Sequence, residues 1–331
     1  MSTISLAAVA RALDKMLDGQ MTAQARIAAH LVAAAEAAGR DPARTIDVLD
    51  AVAADTVLDE VWISDERGIV YLTNVRDDTG APMPFEFYPD PAIQPQAWEF
   101  HALLSFPVDD DGVVAQAAQV REIDNEVYKY VGVSGVDRRR IVQVGNALAF
   151  EEQAPSDAYT SPVMTAVLAA FGEPELLSAS HTDRLAEIRT VFEAILGRQM
   201  VVQAALVDAL VAAAEAAGWP AKEIDGRLRR IAAASPTGEI HVLAPGGDPV
   251  YASGAGAAGA PPAGSTGGGP SRPAPDPTPG AVEHPVAPRA SDGALYKYVT
   301  AAGAQSGRVV RVGLPIDDAS LVSPRFRAAA D

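Results

Sequence analysis

The stretch Tyr128-Lys129-Tyr130-Val131, with Ile141-Val142-Gln143-Val144-Gly145 beginning thirteen residues after its first tyrosine, occurs twice in this chain. It returns as Tyr296-Lys297-Tyr298-Val299 and Val309-Val310-Arg311-Val312-Gly313 at the same spacing. Arg121 and Arg289 stand seven residues before the two first tyrosines, and Asp124 and Asp292 four before them. Both segments of the pair are rich in β-branched and aromatic residues, so each reads as a strand. Composition alone does not produce a shared register over about twenty-five residues, so the chain reads as two copies of one domain.

The whole chain bounds the function classes. Its 331 residues suffice for two domains of ordinary size, each with its own core. A formal charge of −17 opposes nucleic acid and anionic membrane surfaces as partners, because both require clustered Lys and Arg. With no cysteine, disulfides, thiolate metal sites and cysteine nucleophiles are excluded. The first twenty residues lack a basic start followed by an apolar run, and no stretch approaches the roughly eighteen apolar residues of a membrane span. A cytoplasmic location is expected. The five histidines, at 30, 101, 181, 241 and 284, show no metal-ligand spacing, and no nucleophile elbow, phosphate loop or dinucleotide fingerprint is present. Neither an enzyme nor a cofactor is expected.

The expected architecture is α+β, with each copy a long N-terminal helix followed by a five-stranded antiparallel sheet. In the first copy, 1–150, Leu6, Val9, Leu13, Met16, Ile27 and Leu31 fall largely at helical steps up to Gly39. Asp41-Pro42 supplies a cap and first-turn proline for a shorter helix. Strands at 60–64 and 68–73 form a hairpin around the turn 65–68. An irregular segment follows, with five prolines between 82 and 95, the aromatics Phe85, Phe87 and Tyr88, and a short helix carrying Trp98 and Phe100. A strand over 113–122, a turn at Asp124-Asn125 and the quoted pair complete the sheet.

A linker with one short helix near 163–171 spans 151–181. The second copy, 182–318, repeats the helix run Leu31 to Gly39 residue for residue at Leu210 to Gly218, and its hairpin at 239–243 and 250–251. Where the first copy has its aromatic segment, the second has Gly, Ala, Pro and Ser over about 252–288, which cannot bury enough apolar surface to offset its ordering entropy. Disorder is expected there, so the second copy is degenerate. Both long helices exceed their sheets and are rich in small residues, so they are expected to pack together, within one chain or across a homodimer.

Two helices, a hairpin, an excursion with a helix, then three antiparallel strands is an order that resembles Cache and PAS-like sensor domains. The wording Val61-Trp62-Ile63-Ser64-Asp65, Tyr71-Leu72-Thr73-Asn74, Phe85-Glu86-Phe87 and the run from Arg121 to Gly145 is similar to sensory regions of methyl-accepting chemotaxis receptors. That resemblance implies a small-molecule pocket between sheet and excursion, and a signalling partner such as a chemoreceptor or kinase. A small-molecule sensor binding a small organic ligand, such as a carboxylate, in its first repeat is the leading expectation. The alternative is a ligand-free dimerisation or interaction scaffold built from degenerate sensor domains.

Alternate strand residues share a face. Trp62, Tyr128, Tyr130 and Gln143 therefore fall on one side, and Val61, Ile63, Val131, Val142 and Val144 on the side expected to meet the long helix. With Tyr71, Phe85, Phe87, Tyr88, Trp98 and His101, the first set forms the candidate ligand-binding group; the plainer alternative is that these aromatics pack against one another as core. Arg121 joins the group because it can meet a carboxylate bidentately, although a local pair with Asp124 or Glu122, or a surface position, is the preferred reading. Lys129 falls on the aliphatic side and does not fit unless it snorkels or the register shifts.

Overall fold

A computed structural model describes residues 6–108, 110–121, 126–148, 181–253, 280–289 and 291–316. The first repeat holds α1 (Leu6–Ala37), α2 (Pro42–Asp55), β1 (Glu60–Ser64), β2 (Val70–Thr73), a 3-10 helix (Trp98–Ser105), β3 (Val113–Ala115), β4 (Gln119–Val120), β5 (Val127–Ser134) and β6 (Ile141–Ala147). The second holds α3 (His181–Ala216), α4 (Ala221–Ala233), β7 (Glu239–Leu243), β8 (Pro249–Ser253), β9 (Ala281–Glu283), β10 (Ala287–Pro288), β11 (Leu295–Ala302) and β12 (Val309–Pro315). The architecture is α+β, with two antiparallel sheets. The linker helix expected near 163–171 and the turn at Asp124 lie outside the described residues.

Both long helices stop the same way. Gly39 (φ 64°) and Gly218 (φ 71°) take the left-handed conformation, and the next residues donate back, Arg40 N to Ala35 O and Trp219 N to Ala214 O. Asp41 then caps α2 by accepting from Ala43 N at 2.9 Å, with Pro42 in the first turn.

The first sheet runs β2-β1-β6-β5-β3, with β4 also on β5; the second runs β8-β7-β12-β11-β10, with β9 also on β11. The single strand expected over 113–122 is two short ones, and the same break separates β9 from β10. Its cause is the lysine that the alternation left unexplained. At the break Gln116 N bonds Tyr130 O while Gln116 O accepts from Lys129 Nζ at 2.9 Å. His284 N bonds Tyr298 O, and His284 O accepts from Lys297 Nζ at 3.3 Å. The break turns a carbonyl inward for a buried ammonium group, which Asp14 and Asp18 neutralise in the first repeat and Glu283 in the second. A Cβ at Gly197 would overlap the Glu283 carboxylate, so the glycine on α3 leaves room for the acid that α1 supplies itself as Asp18.

Each long helix covers its own sheet, and the two helices pack on each other within the chain. Met21, Ile27 and Leu31 of α1 and Leu196, Met200 and Val207 of α3 share one apolar core with Val61, Ile63, Val131 and Val144 of the first sheet and Ile240, Val242, Val299 and Val312 of the second. Within this contact Gln24 Nε2 donates to Gln199 Oε1 at 2.6 Å and Gln203 Nε2 to Gln20 Oε1 at 2.7 Å, so the helices run antiparallel. The stretch Phe192–Ala216 of α3 is long and apolar enough to cross a membrane by length and composition, contrary to the reading of the sequence, but 78% of its apolar window is buried inside the fold. Core position explains its apolarity. The stretch 252–288, expected to be without structure, carries strand at both ends: Ser253 closes β8, and β9 and β10 pair with β11.

Candidate functional site

The outer face of the first sheet, away from the helices, is organised by a carboxylate. Strand pairing aligns Glu60, Gly145 and Tyr130 in one row across β1, β6 and β5. Glu60 is buried and its oxygens are divided among three donors: Oε1 accepts from Arg121, and Oε2 from Trp62 Nε1 and the Tyr130 hydroxyl, both at 2.9 Å. The Arg121 guanidinium also lies 3.9 Å above the centre of the Tyr128 ring, which stacks on Tyr130 at 5.6 Å. Gly145 makes this possible, because a Cβ there would run into the Tyr130 ring. Burial and the Glu60 charge push the Tyr130 hydroxyl well up and that of Tyr128 up to about 12, so both stay protonated and Tyr130 serves as the donor to Glu60.

The second sheet repeats the arrangement. Glu239 Oε1 accepts from Arg289, and Oε2 from Tyr298 at 3.0 Å; Arg289 sits 4.3 Å over Tyr296, which stacks on Tyr298 at 5.5 Å. Gly313 lies under Tyr298 as Gly145 lies under Tyr130. His241 replaces Trp62, its Nε2 at 3.4 Å from Glu239. Burial alone would raise the Glu239 carboxyl, but bonds to His241 and Tyr298 and the Arg289 charge hold it below the usual carboxylate range. Arg289 is also paired with Asp292.

The remaining candidates separate into three places. Trp62, Phe85 and Phe87 pack ring to ring at 5.2 and 5.0 Å, and Phe87 reaches Phe100 at 6.1 Å. With Leu103, Leu104 and Ile141 they form a second apolar core between sheet and excursion, with Gly132 pressed under Phe100. Gln143 is buried beside Trp62 in the strand register. Tyr71 is elsewhere: it is the extra residue at an irregularity between β1 and β2, and its hydroxyl donates to Glu36 of α1 at 2.6 Å, with Arg140 and Arg138 beside it. Tyr251, Glu215 and Arg308 rebuild that contact on the second repeat. Tyr88 and Trp98 are half-exposed, each at 38%, and His101 is partly exposed on the 3-10 helix. Phe85 and Tyr88 also border an open depression of about 440 Å³ on the outer side of the excursion.

Glu60 and Glu239 escaped the reading of the sequence, although a glutamate opens the first hairpin strand in each copy. So did Gln20-Met21 with Gln24 and Gln199-Met200 with Gln203, which stand at one distance before the repeated Leu-Val-Ala-Ala-Ala-Glu run. No group of His, Asp and Glu among the described residues is arranged to hold a metal ion. Chemically, the Glu60 knot is a neutralised carboxylate with its oxygens already bonded, which suits fixing a sheet face better than turning over a substrate. No protein-family model matches the chain, and no curated protein matches it.

Proposed function

We propose that this chain is a non-catalytic signal-transduction protein in which two Cache/PAS-like units are joined as an internal dimer that serves as an interaction scaffold. The observation that carries this reading is the pairing of Arg121 with Glu60, repeated as Arg289 with Glu239. A guanidinium kept for an incoming carboxylate would differ between a binding repeat and a vestigial one; here both repeats commit it to the same buried glutamate of the first hairpin strand, as part of the frame. The aromatic layer over the first sheet is consistent with this, being packed ring against ring. In this reading the protein acts in the cytoplasm through its surfaces.

One observation favours the sensor reading instead. The aromatic wall belongs to the first repeat alone, since 254–279 contains no aromatic residue, so a small carboxylate ligand among Trp62, Arg121, Tyr130 and Gln143 would bind there and signal to a chemoreceptor or kinase. A thermal-shift screen of small carboxylates and neutral metabolites on the full chain decides between the two. The scaffold reading expects no shift, and destabilisation by both Arg121→Ala and Arg289→Ala. A compound that raises the melting temperature of the wild type but not of Arg121→Lys overturns it.

A further inference from the structure

The depression on the excursion has features of a peptide-docking groove. Its apolar floor is Ile69, Val70, Pro84 and Phe85, and at about 440 Å³ it has room for one or two aliphatic side chains. The backbone that shapes it is fixed. Val70 N donates to Phe85 O and Phe87 N to Gly68 O, both at 2.9 Å, so the segment around Phe85 is laid along β2. Gly68, at φ 88°, allows that approach: a Cβ there would lie 2.9 Å from Phe87 O. Gln94 clamps the far side, its Nε2 donating to Glu86 O at 2.9 Å and its Oε1 accepting from Tyr88 N at 3.0 Å. A groove held this way loses little entropy when occupied.

The rim supplies the specificity. Tyr88 lines the groove and is 38% exposed, and Ile93 and Trp98, 64% and 38% exposed, follow within ten residues of it in the chain. Tyr and Trp of this kind are enriched among residues that dominate binding. Glu86 lines the groove and has no cationic partner among the described residues; its carboxylate accepts only from the Tyr88 hydroxyl, at 2.8 Å. The chain as a whole carries −17, so an acidic partner is repelled and a basic one attracted. We propose that this groove docks a short segment of a protein partner in which an aliphatic side chain stands next to a lysine or arginine, the aliphatic group on Phe85 and the cation on Glu86. The inference rests on the scaffold reading and gives it a partner chemistry.

The test is selection of a random twelve-residue peptide library on phage against the full-length protein. The expected result is enrichment of an aliphatic residue beside Lys or Arg. A synthetic peptide of the enriched sequence should bind wild type in a salt-dependent way, and both Glu86→Lys and Tyr88→Ala on the order of tenfold more weakly. Selection on Glu86→Lys should move the enriched charge to Asp or Glu. These side chains are at the surface, and unchanged urea midpoints will show that both variants fold. Absence of an enriched motif, or equal binding by wild type and both variants, overturns the proposal. The outcome is independent of the metabolite screen: a ligand held by Arg121 would remove the scaffold reading of the first repeat and leave the groove result standing, and a failed groove would leave the Arg121 result untouched.

Discussion

Gln24 and Gln199 meet side chain to side chain across the α1–α3 contact at 2.6 Å, and Gln203 with Gln20 repeats the bond at 2.7 Å with the roles of the helices exchanged. Each residue of one pair is the repeat-equivalent of a residue in the other, which is the signature of a two-fold, isologous interface contained in a single chain. Both pairs are tied to further elements: Asn146 Nδ2 also donates to Gln199 Oε1 at 3.2 Å, and Gln203, the donor of the second pair, accepts at its own Oε1 from Thr237 Oγ1 at 2.8 Å. Replacing one member leaves a buried amide without its partner, so Gln24→Leu should cost about 1–3 kcal/mol, and Gln24→Leu with Gln199→Leu less than the sum of the singles. Urea denaturation of the four proteins gives the coupling; strictly additive costs would mean the pair does not stabilise the interface.

Gly145 and Gly313 are required by the tyrosine that crosses each. In either position a methyl group enters the ring, and the ring must leave the carboxylate it serves. Gly145→Ala and Gly313→Ala should each lose about 1–3 kcal/mol, and adding Tyr130→Phe to Gly145→Ala should cost little more. If the two alanine variants keep the wild-type urea midpoint, the row Glu60–Gly145–Tyr130 is not the constraint described.

How much of this was legible in the sequence depends on how local each signal is. Tyr128-Lys129-Tyr130 and its copy disclose the duplication, because strand alternation and register are written in neighbouring residues. Gly39, Gly218 and Asp41 mark helix ends for the same reason. Glu60 was not legible as a site, since its meaning comes from Arg121, sixty-one residues away. Alternation put Tyr71 within a strand, but the irregularity that turns it toward Glu36 is a property of the pairing of β1 with β2 and appears in neither strand alone. The glutamine pairs were written twice, yet alanine-rich helices hide short matches, and only the packed helices give them a partner.

Lys129 should prove more demanding than Lys297. Its ammonium is fully buried, donates to Asp14 at 2.8 Å and to Gln116 O at 2.9 Å, and is ion-paired with Asp18 at 2.6 Å, whereas Lys297 has Glu283 at 3.2 Å and a carbonyl at 3.3 Å. Lys129→Met leaves two aspartates and a turned-in carbonyl without their cation. Breaking a buried pair costs about 3–5 kcal/mol, and because the aspartates are 31% and 35% exposed the loss should fall toward the lower figure. Lys297→Met should cost less. The reverse order in thermal or urea unfolding would contradict the account of the strand break.

His30 makes the stability of the fold depend on pH over a range set by its burial. It lies on α1, 3% exposed, with Nδ1 at 3.3 Å from Arg227 Nη1 of α4, so the ring is an acceptor and must be neutral. Burial, then the charges of Arg227, Arg230 and Arg26, push its pKa from 6.5 down to about 3. Between those values the unfolded chain binds a proton that the folded protein refuses, so stability rises with pH. The contribution is complete above about 6.5 and is lost as pH falls through that value toward the folded pKa, with a slope approaching roughly 1.4 kcal/mol per pH unit. In His30→Gln the amide oxygen still accepts from Arg227 but cannot titrate, and every other ionisable group is shared. Urea denaturation from pH 7 to 5 should therefore show wild type losing about 2 kcal/mol more than His30→Gln. Parallel pH profiles for the two proteins would mean that His30 is protonated in the folded state and that the Arg227 contact is not made.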